Sequence, residues 1–219
     1  MGAFGGPNII TDGLVFAVDA GSARSYPGSG TTTTSLVGSS TGTLSNGVAY
    51  VSGNGGSWDF DGVDDFIDTT FTIPAGDRSL EFWVYYNTLS STAGNGYSLM
   101  GVQQGADKYL YSGIQSNGSG YSYAGNTGGA YSYTFSAANW YHIALAMGSG
   151  TSRNYVNGEQ VATKTYTSSV ASTTEVMIGA INQQHEIDGL VPLTRVYNKE
   201  LSAAEVLQNF NAQKSRFGL

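Results

Sequence analysis

The residues of this chain best suited to chemistry sit in one short acidic stretch, Asp61-Gly62-Val63-Asp64-Asp65-Phe66-Ile67-Asp68. A calcium ion takes about six to eight oxygen ligands from carboxylates and carbonyls, and a turn this rich in aspartate offers several. The spacing is not that of an EF-hand. Asp59-x-Asp61-x-Val63 breaks the alternating ligand series, and no glutamate follows at the twelfth position. Asp-Gly and paired aspartates also favour tight turns by bonding to their own backbone, and turn chemistry is the reading preferred here over metal. No cofactor is expected; calcium is the one ion the acids could take.

Catalytic constellations are sparse. A retaining glycosidase needs two carboxyl groups about 5–5.5 Å apart, typically on alternate residues of one strand. No strand-like segment offers a Glu-x-Asp-x-Glu arrangement: Glu81 stands among apolar neighbours and Glu159 follows a turn. No serine occupies a Gly-x-Ser-x-Gly elbow between a strand and a helix. Of the two histidines, His142 falls in an aromatic strand and reads as structural. His185, near Glu186 and Asp188, reads as part of a solvated loop, because one histidine and two acids without a known spacing make a weak metal site. There is no cysteine, hence no thiolate zinc site, cysteine nucleophile or disulfide. The expectation from these absences is a protein that is not an enzyme.

Tyrosine is the most suggestive binding residue. Tyr121-Ser122-Tyr123 and Tyr131-Ser132-Tyr133 flank the segment Gly125–Gly129. If Ala124 pairs with Ala130, Tyr123 faces Tyr131 and Tyr121 faces Tyr133. Side chains alternate along a strand, so all four rings then share one face of the sheet, with Tyr109 and Tyr111 alongside. Such a face can stack on the C–H surface of a sugar while the hydroxyls bond to water or ligand. Cross-strand aromatic pairs also stabilise cores, and tyrosine is enriched at subunit interfaces. The residues leave glycan platform, core and interface open.

The elements that must carry these residues are strands. Thirty-one glycines are dispersed between short apolar runs, the pattern of a sandwich or barrel. Strands are expected near 14–19, 58–60, 66–69, 78–86, 97–103, 109–115, 121–124, 131–135, 140–147, 153–156, 160–164, 175–178 and 190–197, with the Thr31–Thr34 run a loop. Asn157-Gly158 is a type I′ hairpin signal. Ser202-Ala203-Ala204-Glu205 is a capping box opening a helix whose apolar stripe is Val206, Leu207 and Phe210, placed at the rim of the sandwich.

Composition narrows the class further. Apolar residues make up 40% of the chain, enough for a core, and charged residues only 11%, well below the usual quarter. Nine lysines and arginines against sixteen acids, a net charge of −7, exclude a phosphate-binding face and hence nucleic acid as a partner. No run approaches the roughly eighteen apolar residues of a membrane-spanning helix, so no membrane insertion is expected. The N-terminal segment Met1–Pro7 lacks the basic and apolar regions of a secretory leader. If the protein acts outside a cell, the expectation is that it gets there without a cleaved leader, release by lysis as part of a virus particle being one such route from the host cytoplasm.

Several motifs, taken in order, resemble the concanavalin A-like, laminin G-type domains. Phe60-Asp61-Gly62-Val63-Asp64-Asp65-Phe66-Ile67 is similar to that family's turn and strand, and Leu80-Glu81-Phe82-Trp83-Val84 to its central aromatic strand. Trp140-Tyr141-His142-Ile143-Ala144 and Tyr155-Val156-Asn157-Gly158 resemble the next strand and hairpin. Arg195-Val196-Tyr197-Asn198 with Leu201–Glu205 resembles the closing strand and helix. The opening Gly13–Gly21 with Ser25–Gly30, and the ending Asn209–Leu219, are similar to bacteriophage virion proteins. The family often has Trp and Asp where Thr33 and Ser35 stand, and acids where Pro192 and Leu193 stand, and those acids shape calcium-associated corners in relatives.

The resemblance implies an all-β antiparallel sandwich (a concanavalin A-like jelly roll) with one short C-terminal helix, residues 13–219, preceded by an arm of residues 1–12. It implies a virion component such as a capsid decoration, head fibre or tail-fibre tip. Its partners would be other virion proteins, copies of itself and host or environmental glycans. The alternative is a secreted bacterial lectin or glycan-active enzyme of the same fold.

Overall fold

The computed structural model describes residues 7–89, 97–103, 109–115, 117–167, 175–181 and 185–219. Sixteen strands follow one another among these residues: β1 (Leu14–Asp19), β2 (Thr32–Thr34), β3 (Thr41–Ser45), β4 (Ala49–Val51), β5 (Ser57–Asp61), β6 (Phe66–Thr72), β7 (Arg78–Tyr86) and β8 (Tyr97–Gln103). The second half holds β9 (Tyr109–Ile114), β10 (Ser119–Gly125), β11 (Thr127–Thr134), β12 (Trp140–Gly148), β13 (Thr151–Val156), β14 (Glu159–Thr165), β15 (Glu175–Ile178) and β16 (Asp188–Tyr197). One helix, α1 (Ala203–Gln213), comes last, continued by a short 3-10 turn at Lys214–Phe217.

The strands form two antiparallel sheets. The first runs β14-β13-β12-β7-β16-β5-β4, with β1 paired to β16; the second runs β11-β10-β9-β8-β15-β6-β3-β2. The expected all-β sandwich with a C-terminal helix is what the chain adopts. Alternation decides what goes between the sheets. On β5, Trp58 and Phe60 are fully buried in the core, which turns Asp59 and Asp61 to the opposite face. On β7, Leu80, Phe82 and Val84 point inward in the same way.

The outer face of the first sheet is covered too. Helix α1 and the residues after it lie across β7, β16 and β12 rather than at the rim, a correction to the sequence expectation. Trp83 on that face stacks on Phe217 at 4.2 Å between ring centroids, and Trp140 packs against Phe217 at 4.6 Å with its ring tilted. Both sides of β7 are therefore buried, which explains its near-continuous apolar run. The capping box forms as read: Ser202 Oγ accepts from the Glu205 N–H, and the Glu205 carboxylate accepts from the Ser202 N–H. Val206 and Asn209 are the buried residues of α1, while Leu207 is 44% exposed.

Two further readings are settled by pairing. The Asn157-Gly158 hairpin joins β13 to β14, with positive φ at both loop residues (51° and 83°). The threonine run taken for a loop is strand β2, paired with β3 at Thr33↔Gly42. Thr33 is fully buried and donates its hydroxyl to the Ser25 carbonyl. A half-polar edge strand lacks the apolar alternation that marks a strand in sequence. Among the described residues no helix is long and apolar enough to cross a membrane.

Candidate functional site

The four tyrosines do not share a face. The β10–β11 hairpin closes at Ala124↔Thr127 around the two-residue loop Gly125-Asn126, with Gly125 at φ 62°. Glycine with positive φ at the first loop position is the mark of a II′ hairpin turn. Tyr121 consequently pairs with Ala130, and Tyr123 with Gly128. This register is displaced by three residues from the Ala124–Ala130 pairing expected from sequence. An odd displacement sends one strand's side chains to the other face.

Tyr131 accordingly turns inward, 6% exposed in the core, with its ring over Gly120 on the neighbouring strand. Tyr133 turns inward as well, packing its ring 4.8 Å from Phe135 and 6.2 Å from Tyr141. Tyr131 is a core residue and Tyr133 a half-buried one packed against the core, so neither joins Tyr121 and Tyr123 on one face. Tyr121 and Tyr123 remain on the outer face of the second sheet, half-buried, while the alternating Gly120, Ser122 and Ala124 are buried.

Tyr111 on β9 joins the outer pair. Its register partner is Tyr123, and the three ring centroids lie 5.4–6.2 Å apart. The Tyr123 ring lies flat over Gly128, where any Cβ would come within 2.2 Å of it. Only glycine permits that close approach. On its other side Tyr111 faces Gly101 in register. The row continues Gly101–Met177–Asp68–Thr43 across the same face, so an aromatic end passes through a glycine and a methionine into a polar end. The side chain of Tyr109 lies outside the described residues.

Behind the platform, Lys164 of β14 bridges the two sheets. Its ammonium donates to the carbonyl of Gly129 and, at 3.2 Å, to Ser122 Oγ, and it lies 5.7 and 5.8 Å from the ring centroids of Tyr131 and Tyr121. Burial pulls its pKa down to about 8. Below pH 8 folded and unfolded chains both carry this proton, and the folded chain bears the cost of burying it. Above pH 8 the folded chain sheds the proton while the unfolded chain keeps it, so stability rises with pH until the unfolded lysine also titrates. The melting temperature of the wild type relative to Lys164→Met is therefore expected to increase between pH 8 and 10. A difference that stays flat across that range would show the ammonium to be solvated.

The acidic turn occupies another corner. Asp61 and Asp188 are direct cross-strand partners, and Asp59 stands two residues along the same face. The turn chemistry read from sequence is present: Asp61 Oδ1 accepts from the Val63 N–H at 2.9 Å. Asp65 folds back, its Oδ2 accepting from the Asp61 N–H at 3.0 Å. Burial, and then the neighbouring carboxylates, push the pKa of Asp65 up; burial likewise leads the rise at Asp59. Asp68 sits apart, in the outer row of β6.

Sequence reasoning missed the role of Glu81. It is fully buried, and Arg195 donates to its Oε1 at 2.8 Å, Asn209 to its Oε2 at 2.6 Å, and His142 Nε2 lies 3.1 Å from Oε1. Arg195 is its register partner across β7–β16, which no sequence spacing discloses. His142, read from sequence as structural, is fully buried beside Glu81. His185 is half-buried with φ 60° and joins no cluster of metal-type ligands among the described residues.

The family model described as the concanavalin A-like lectin/glucanases superfamily matches residues 61–207. No curated protein sequence matches the chain. Among solved structures, the fold is similar to a sialidase of Trypanosoma rangeli, with a TM-score of 0.73 at 16% identity over 95% of this chain. The chain spans about a third (34%) of that sialidase's length. It is also similar to domain 4 of an extracellular arabinanase from Geobacillus stearothermophilus in complex with arabinotriose, with a TM-score of 0.69 at 15% identity over 90% of this chain and 98% of that domain. A third likeness is to the receptor-binding domain of botulinum neurotoxin type G, with a TM-score of 0.68 at 14% identity, over 91% of this chain and 51% of that one.

These likenesses correct the expectation that the chain is not an enzyme. The same architecture occurs inside glycan-active enzymes, and β5 itself carries two carboxylates, Asp59 and Asp61, at alternate positions of one face.

Proposed function

Because the chain belongs to the concanavalin A-like lectin/glucanase superfamily, we propose that it is a glycan-recognition module whose binding face is the outer surface of the second sheet. The observation that carries this reading is the Tyr111–Tyr121–Tyr123 cluster, held half-exposed on a rigid sheet with glycines at its border. A tyrosine ring offers an apolar surface for a sugar's C–H face and a hydroxyl for its polar edge. Three such rings side by side match a short oligosaccharide better than a single residue. The domain-to-domain likeness to the arabinanase domain bound to arabinotriose supports the same reading.

The test is a glycan array followed by calorimetry on the strongest hit, with arabinan and sialylated oligosaccharides among the probes. Tyr123→Ala and Tyr111→Ala should each weaken binding on the order of tenfold, about 1.4 kcal/mol, with the fold intact. Retention that survives removal of both rings would sink the assignment. Release of product from the same hit, measured in parallel, decides whether recognition is coupled to catalysis.

The setting we propose is a virion surface, beside other virion proteins and further copies of this chain. The opening and closing segments, which resemble phage virion proteins, meet in the fold. Arg216 donates to both oxygens of Asp19 at 3.0 Å and to the carbonyls of Asn54 and Gly56. Antibody labelling of purified particles tests this, and detection of the chain only in particle-free medium would overturn it.

A further inference from the structure

We propose that the tyrosine-bearing face selects long uncharged polysaccharides and rejects glycans that carry carboxylate or sulfate groups. The selectivity presupposes the tyrosine platform as the binding face and adds the chemical class of its ligand. What carries it is the make-up of the second sheet. Among the described residues, none of its eight strands contains a lysine, arginine or histidine. Its acids are Asp68 on β6 and Glu175 on β15, both exposed. Both point outward, because the alternating Ile67, Val176 and Ile178 are buried in the core.

Recognition of a carboxylate or sulfate calls for charge-assisted donors, above all the forked guanidinium of arginine. An anion brought onto this face gives up water and meets no cation in return. Asp68 and Glu175 add like-charge repulsion, and the net charge of −7 extends it beyond contact distance. Among the described residues, the lysines and arginines that pair with acids do so on or beside the first sheet. Arg24 stands on the turn between β1 and β2. Lys164 approaches the platform from behind, where it donates to the Gly129 carbonyl and to Ser122 Oγ, on a residue 1% exposed.

What the face does present suits a ligand rich in hydroxyls. From Tyr123 and Tyr111 the row runs over Gly101 and Met177 to Asp68, Thr43 and Thr32. The threonines of this end, Thr70 among them, are exposed. A threonine hydroxyl both donates and accepts, and a carboxylate accepts on two oxygens, so sugar hydroxyls find partners here with no charge of their own. With strands about 4.8 Å apart, the row across eight strands extends roughly 34 Å. A chain of several sugars can then stack on the rings at one end and hydrogen-bond at the other.

The experiment is an array in which each uncharged oligosaccharide is printed beside a counterpart differing in charge alone. Suitable pairs are galacturonic acid oligomers with their carboxyl-reduced forms, and sialylated oligosaccharides with their desialylated forms. The full chain should retain the neutral member better, by on the order of tenfold or more. Neutral binding should stay unchanged between about 0.05 and 0.5 M sodium chloride, since no ion pair is there to screen. The double variant Asp68→Lys, Glu175→Lys, its melting temperature read in parallel, should raise retention of the acidic members by about threefold or more. Acidic members retained as well as neutral ones, or neutral binding that weakens with salt, would overturn the selectivity. If such binding is lost in Tyr111→Ala and Tyr123→Ala, the platform stands and only its selectivity falls. Retention indifferent to both tyrosines, or no retention of any member, overturns platform and selectivity together.

Discussion

Glu81→Ala is expected to destabilise the fold by about 3–5 kcal/mol, the cost of stripping one partner from a buried ion pair. Glu81 stands at the centre of β7, under α1, with no solvent access. Burial by itself would push its pKa up, but the Arg195 guanidinium, with His142 and Asn209, overcomes that and holds it near 2. Alanine would leave Arg195, 5% exposed, without a counter-charge and remove one of the two acceptors of the Asn209 amide. Asn209 also donates to the Tyr197 hydroxyl and accepts from the Ile10 N–H, so the docking of the helix and of the chain before β1 should loosen together.

The sign of the pH effect follows from the same pair. Because the folded-state pKa lies below the ordinary 4.5, the stabilisation is complete above pH 4.5 and is lost as pH falls from there toward 2. Chemical denaturation at pH 7 and at pH 3 measures both effects. A Glu81→Ala cost near zero, or one equal at the two pH values, would show that the network contributes packing and not charge.

Tyr131→Ala should cost about 3–5 kcal/mol, comparable to truncating any fully enclosed aromatic, whereas Tyr123→Ala should cost about 1 kcal/mol. The two residues belong to the same hairpin and look alike in sequence, yet Tyr131 is sealed against the core over Gly120 while Tyr123 lies on the outer face over Gly128. For a chain of this size each kcal/mol moves the melting temperature by about 2–4 °C. Tyr131→Ala should therefore melt roughly 6–20 °C lower, and Tyr123→Ala only a few degrees lower. Glycan retention should follow the opposite order, lost in Tyr123→Ala and kept in whatever fraction of Tyr131→Ala remains folded. Equal melting temperatures for the two variants would contradict the hairpin register.

That register marks where sequence reasoning stopped. The tyrosine pairs and the glycine-rich segment between them were legible, but the turn was read as five residues, although Gly125-Asn126 alone is a sufficient two-residue signal. With period-two alternation, three positions of slip moved Tyr131 and Tyr133 from a surface to a core. Tyr111 entered the site only through the β9–β10 pairing, because ring contact across strands is a property of register.

What the amino-acid order determined by itself is local. Alternating apolar residues made the strands, Asn157-Gly158 and Ser202–Glu205 set a hairpin and a helix start, and Asp61-Gly62 set a turn, since each depends on residues within a few positions of one another. Tertiary structure alone decided which residues act together. Glu81 and Arg195 are 114 residues apart and Asp61 and Asp188 are 127 apart, and adjacency on neighbouring strands turned the first into a buried ion pair and the second into facing carboxylates. Pairing energy depends on distance in space, and sequence separation carries no record of that distance until the sheets have closed.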